Sequence, residues 1–73
     1  MKILIVEDEP SLMELIRQTL EKERFVVEVA QDLAGALEKV GVYDYDCILL
    51  DIMLPDGSGL TLLEELKSKK KKE

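Results

Sequence analysis

Residues Cys47–Gly59, C-I-L-L-D-I-M-L-P-D-G-S-G, decide how this chain folds. Four apolar residues end abruptly on a carboxylate, Asp51, and a loop carrying proline and glycine follows. A short apolar run bounded by turn residues suits a strand buried on both faces, as in parallel α/β sheets. Asp51 then stands at the carboxyl end of its strand, the edge at which open α/β sheets bind ligands.

Upstream, the same pattern recurs. Lys2 to Val6, K-I-L-I-V, is rich in β-branched residues and reads as a second strand buried on both faces. It runs into Glu7-Asp8-Glu9 and then Pro10, a residue tolerated in a first helical turn, where nearby acids are also favourable. From Pro10 to Glu23, Leu12, Leu15, Ile16, Thr19 and Leu20 recur at helical spacing, with Glu14, Arg17, Gln18 and Glu21 opposite. Phe25 to Ala30 is a further strand. Glu28 interrupts its apolar run, which suggests a sheet edge. Asp32 suits the N-cap of a helix over Leu33–Val40, with Gly41 at its C′ position and Leu33, Ala36, Leu37 and Val40 as its apolar stripe. Past the Cys47–Gly59 stretch, Ser58 can cap a third helix whose Leu60, Leu63 and Leu66 are expected to face the core.

The order is β-α-β-α-β-α without repeats. Right-handed crossovers and the wholly apolar first strand predict an α/β fold in three layers, with a parallel sheet of order 2-1-3. Helix one lies on one face, and helices two and three on the other.

Composition narrows the function. With 73 residues the chain makes one small domain. A single cysteine, Cys47, forms no internal disulfide and suits a reducing, cytoplasmic setting. No apolar run exceeds four residues, far short of a membrane span. Before Lys67 there are fifteen acidic and five basic residues, a formal charge of −10, which disfavours nucleic-acid binding by the folded part. The closing K-S-K-K-K-K-E, residues 67–73, reads as a solvated, solubilising charge run rather than a nucleic-acid or membrane patch.

Glu7 and Asp8 follow strand one and Asp51 closes strand three, so neighbouring parallel strands deliver three carboxylates to one edge. Such a group repels itself unless a cation joins it, and a hard, oxygen-loving ion such as Mg2+ fits. Zinc does not, because the sequence has no histidine. Each piece has a bland reading too: acids at a helix start, and an aspartate in a turn. Their joint placement favours the functional one.

I-L-I-V-E-D-E near the start, with L-L-D-I-M-L-P-D-G-S-G downstream, resembles the response-regulator receiver domain of bacterial two-component signalling, a flavodoxin-like fold. The wording of the second motif is most similar to receivers of winged-helix transcription regulators, although these 73 residues are not expected to form a DNA-binding domain. The resemblance implies that Asp51 is the phosphoacceptor, taking a phosphoryl group from a sensor histidine kinase. It implies Mg2+ held by Asp8, Asp51 and the Met53 backbone carbonyl, with Glu7 acting through water. Pro55 and residues 57–59 would shape the adjoining loop. This is a signalling module rather than an enzyme. An aspartyl phosphohydrolase would want an aspartate where Met53 stands.

Receivers have five β-α units and this chain supplies three: residues 1–67 as a partial receiver, then the lysine-rich tail at 68–73. The switch Ser or Thr and the phosphate-binding Lys of the later strands are absent, and neither Ser58 nor Thr61 replaces the former. The expectation is therefore impaired phosphotransfer and a homodimer formed through the third strand and the uncovered sheet face. The alternative is an engineered or excised folding fragment that self-associates and does not signal.

Overall fold

A strand with no polar side needs cover on both faces, and β1 (Lys2–Val6) has it. Ile3, Leu4, Ile5 and Val6 are all buried. In the computed structural model, which describes residues 1–71, β1 is the middle strand of a parallel sheet. β2 (Val26–Ala30) lies on one side and β3 (Cys47–Leu50) on the other, giving the order 2-1-3. The register places Ile5 opposite both Val29 and Leu49.

Alternation along β1 assigns the two faces. Leu4 and Val6 join Ala30 of β2 and Leu33, Ala36 and Val40 of α2 (Leu33–Val42) in the main core, together with Leu54 and Leu62. Ile3 and Ile5 point the other way, toward α1 (Pro10–Lys22), which packs on β1 and β2. α2 and α3 (Gly59–Lys71) share the opposite face, as the sequence pattern predicts.

Caps explain the helix starts. The Glu9 carboxylate accepts the Ser11 and Leu12 N–H groups at the head of α1. Ser58 Oγ accepts the Leu60 N–H at the head of α3. Beyond the Glu23 cap of α1, Arg24 turns into the left-handed region, φ 66°, with the Arg24 N–H donating to the Glu21 carbonyl and the Phe25 N–H to that of Leu20.

Three expectations change. No α1 residue is fully buried: Ile16 and Leu20 are half-covered, while Leu12, Leu15 and Thr19 remain exposed. α1 packs chiefly on β1 and β2, and part of its apolar stripe, like Leu49 of β3 at 39% exposure, stays open to solvent. Gly41 is not a C′ residue. α2 runs on to Val42, and the break comes at extended Tyr43, whose ring sits 4.4 Å from the Lys2 ammonium. In α3, Leu60 and Leu63 are exposed, and Leu62, wholly buried, is the core residue, with Leu66 packed beside it. Gly59 sets that rotation. A Cβ there would lie 2.7 Å from the Asp51 carbonyl oxygen and 3.0 Å from Ile52 Cα, so its face must turn inward, and Leu62 and Leu66 follow at helical spacing.

β4 (Met53–Leu54) and β5 (Gly57–Ser58) form a small antiparallel hairpin around the turn at Pro55 and Asp56. The backbone of α3 continues through Lys71, so the first lysines of the tail extend the helix. The rest of the tail lies outside the described residues.

Candidate functional site

The ladder brings three acids level. The Glu7 N–H donates to the Ala30 carbonyl at 3.0 Å, and the Asp51 N–H donates to the Val6 carbonyl at 2.9 Å, so β1 and β3 end side by side. Glu7, Asp8 and Asp51 each offer a carboxylate oxygen, and these oxygens lie within 4.8 Å of one another. Glu7 and Asp51 are half-buried; Asp8 is exposed.

The acidic triplet divides its labour. Glu9 is the helix cap, the bland role, whereas Glu7 and Asp8 join the cluster. Glu7 Oε2 also accepts the Glu9 N–H at 3.1 Å, which ties it to the helix start. Asp51 Oδ1 accepts the Met53 N–H at 3.0 Å, fixing the rotation of its carboxylate. Met53 itself is 82% exposed and sits in β4 opposite Ser58. Among the described residues, no ion pair reaches any of the three acids.

Such a group can do two things. Three oxygens converging at an exposed strand edge suit a hard divalent cation that keeps some of its waters. A half-buried carboxylate held by one N–H retains a second oxygen to offer to an electrophile. The donor set is all oxygen, which fits Mg2+ and not zinc.

One functional neighbour has no counterpart in the sequence pattern. Asp56 Oδ1 accepts the Leu33 N–H at 2.7 Å and Oδ2 the Ala34 N–H at 3.0 Å, capping α2 from 22 or more residues away in the chain. Those two N–H groups hold its carboxyl below the usual carboxylate range, Leu33 more than Ala34. Asp32, the expected local cap, takes the Gly35 N–H at 2.7 Å. Between them the two acids satisfy the first three N–H groups of α2. The P-D-G turn signal located Asp56 in a loop, but nothing local marks its partner.

A concavity of about 680 Å3 opens at the opposite end of β3, between Tyr43, Tyr45, Cys47, Ile48, Leu63 and Leu66. Asp44, Asp46 and Glu64 also line it, but among the described residues the acids whose oxygens converge are Glu7, Asp8 and Asp51. That carboxylate cluster stands at the other, carboxyl edge.

Comparisons with known proteins agree with this geometry. The family described as "Response regulator receiver domain" matches residues 3–73. Response regulator ArlR of Staphylococcus saprophyticus is 44% identical over 66 residues, covering 90% of this chain and 30% of that protein. Transcriptional regulatory protein TrcR of Mycobacterium tuberculosis is 41% identical over 66 residues, covering 90% of this chain and 26% of the relative. Among solved structures, response regulator TrrA of Thermotoga maritima, in complex with Mg(2+)-BeF, superposes with a TM-score of 0.88 at 38% identity, covering 96% of this chain and 61% of that one. TrrA in complex with histidine kinase ThkA gives a TM-score of 0.86 at 38% identity, covering 96% of this chain and 60% of that one. The chain thus spans under a third of these curated relatives and about three fifths of the solved receivers.

Proposed function

The chain belongs to the response regulator receiver domain family of two-component signalling, and from that premise we propose that Asp51, in the cytoplasm, accepts a phosphoryl group from a phosphohistidine of a sensor histidine kinase. The observation that carries this reading is the convergence of Glu7, Asp8 and Asp51 within 4.8 Å at the ends of two neighbouring parallel strands. Asp51, half-buried like Glu7, sits at the carboxyl end of its strand, where an incoming phosphoryl group can reach it. The Met53 N–H orients its carboxylate. A carboxylate oxygen attacks phosphorus, the P–N bond breaks, the imidazole nitrogen keeps the electron pair, and an acyl phosphate forms on Asp51. The kinase as donor follows from the likeness to TrrA, which is seen with a histidine kinase.

Asp8, Asp51 and the Met53 carbonyl would hold Mg2+ directly, with Glu7 through a water. When bound, the ion offsets charge gathering on the transferred group. Each residue's part here is to present an oxygen at the strand edge. Among the described residues no lysine or arginine is ion-paired with Glu7, Asp8 or Asp51. Lack of one preorganised donor costs a transition state about 3 kcal/mol, so transfer to the 73-residue chain by itself is slow.

A second reading rests on a different observation. β3 pairs only with β1 among the described strands, and Leu49 beside its open edge is 39% exposed. An unpaired apolar edge favours a second copy, β3 against β3, in a two-fold six-stranded sheet. In this reading the chain self-associates without signalling.

The two are separable. Incubation with Mg2+ and a small phosphodonor should add one phosphoryl group by mass to the wild type and none to Asp51→Asn. An unmodified wild type removes the signalling reading. Sedimentation at micromolar concentration should show a dimer, and a stable folded monomer removes the self-association.

A further inference from the structure

The Met53–Ser58 hairpin sits between the acidic site and α2, and it is anchored on both. At one end the Met53 N–H donates to Asp51 Oδ1 at 3.0 Å, and Met53 pairs with Ser58 across the hairpin. At the other, the turn reaches α2. Asp56 grips the Leu33 and Ala34 N–H groups with one oxygen each, at 2.7 and 3.0 Å. A Cβ on Gly57 would lie 2.7 Å from Leu33 Cδ2, so the turn and the helix start are in close contact. Leu54 is buried in the same core cluster as Leu33. The base of the hairpin is closed by the Gly59 N–H on the Ile52 carbonyl at 2.7 Å.

We propose that Asp56 is a positioning residue for the acidic site: its two-point grip on the N-terminus of α2 fixes the hairpin and, through it, the Met53 amide that orients Asp51. The metal side of this inference rests on the reading of Glu7, Asp8, Asp51 and the Met53 carbonyl as a Mg2+ site. Asp56 touches neither metal nor phosphoryl group. It acts through a two-stranded hairpin that has little packing of its own to hold it: Met53, Pro55, Gly57 and Ser58 are all exposed, and only Leu54 is buried. Residues that orient the direct ligands of a metal typically change affinity by tenfold or more when removed.

Asp32 supplies the control. It caps the same helix start with one oxygen on the Gly35 N–H at 2.7 Å, but it belongs to the segment leading into α2 and not to the hairpin. If Asp56 only stabilises α2, then Asp56→Ala and Asp32→Ala act alike.

Nuclear magnetic resonance of the labelled 73-residue chain, titrated with MgCl2, reads both consequences. Asp56→Ala should weaken Mg2+ binding by about tenfold and speed hydrogen exchange at the Met53 amide, while Asp32→Ala leaves both as in the wild type. Asp56→Asn retains one acceptor oxygen and should fall between; it carries the same comparison if the alanine variant does not fold. Equal effects of the Asp56 and Asp32 variants on Mg2+ affinity, or Met53 exchange unchanged without Asp56, overturn the proposal. A wild type that binds no Mg2+ removes the metal reading, and Met53 exchange in the two variants then decides the positioning role alone.

Discussion

The two ends of this sheet handle charge in opposite ways. Toward the amino end, Glu28 of β2 is surrounded. Tyr45 donates its hydroxyl to Glu28 Oε1 at 2.5 Å, and the Lys2 and Lys39 ammonium groups approach at 3.4 and 3.9 Å. Lys2 in turn lies 4.4 Å from the centre of the Tyr43 ring and 5.4 Å from that of Tyr45. The Tyr45 hydrogen bond comes first among the causes that lower the Glu28 pKa. At the carboxyl end, Glu7, Asp8 and Asp51 converge with no such company among the described residues. A carboxylate satisfied within the fold contributes to holding it together. One left to its like-charged neighbours is strained toward an external cation or electrophile. The same residue type is partnered by cations at one end and gathered with other acids at the other, and the neighbours decide which.

The largest effect expected tests whether the carboxyl end is tolerant in shape as well as unsatisfied in charge. Gly59→Ala places a Cβ against backbone atoms of Asp51 and Ile52 that cannot step aside cheaply. A loss of about 2–3 kcal/mol is expected in urea unfolding. A near-neutral result would mean that the start of α3 floats, and that Leu62 is not held in its core position by this contact.

Next comes one chemical change made at both ends. Glu28→Gln removes a charge that two lysines and a tyrosine have organised around, and should cost about 1 kcal/mol. Asp51→Asn keeps an acceptor for the Met53 N–H while relieving repulsion, and should raise metal-free stability by about 0.5 kcal/mol, less at high salt. It should also erase stabilisation by Mg2+, which in the wild type reaches about 1.4 kcal/mol at ten times Kd. Opposite signs in thermal or urea melts sustain the contrast between the ends. Two losses would mean that the carboxyl cluster is already compensated.

Sequence reading reached these two ends unequally. The apolar runs at Lys2–Val6 and Cys47–Leu50 announced strands, the first of them central, and the strand order and the acids that follow β1 and β3 came from counting along the chain. What it missed is what no period encodes. Glu28 read as the mark of an edge strand, and β2 is one, but its partners Lys2, Tyr45 and Lys39 come from three other segments. Asp56 binds backbone groups 22 and 23 positions away. Leucines at 60, 62, 63 and 66 allow more than one inward face, and only the close approach at Gly59 selects between them. Local pattern fixes which elements form. Contacts between distant segments fix their rotation and their charge partners.

The smallest effect is in pH, and here the amino end and Asp56 act together. Glu28 and Asp56 both have carboxyls held below the ordinary range, the first chiefly by the Tyr45 hydroxyl, the second by the Leu33 and Ala34 N–H groups. For a lowered folded value the unfolded chain takes up protons first. Their stabilisation is therefore present above about pH 4 and is lost as pH falls below it. Tyr45 moves the other way. Burial, and then the neighbouring Glu28 carboxylate, push its hydroxyl well above the ordinary value. A raised value means that its contribution is complete below about pH 10 and is lost as pH climbs further. Urea melts across the range should show both limbs. Asp56→Asn should flatten the acid limb and leave the alkaline one, and Tyr45→Phe should flatten the alkaline limb. An alkaline limb untouched in Tyr45→Phe would place the proton release elsewhere and take the Tyr45–Glu28 pair out of the account of how the amino end holds its charge.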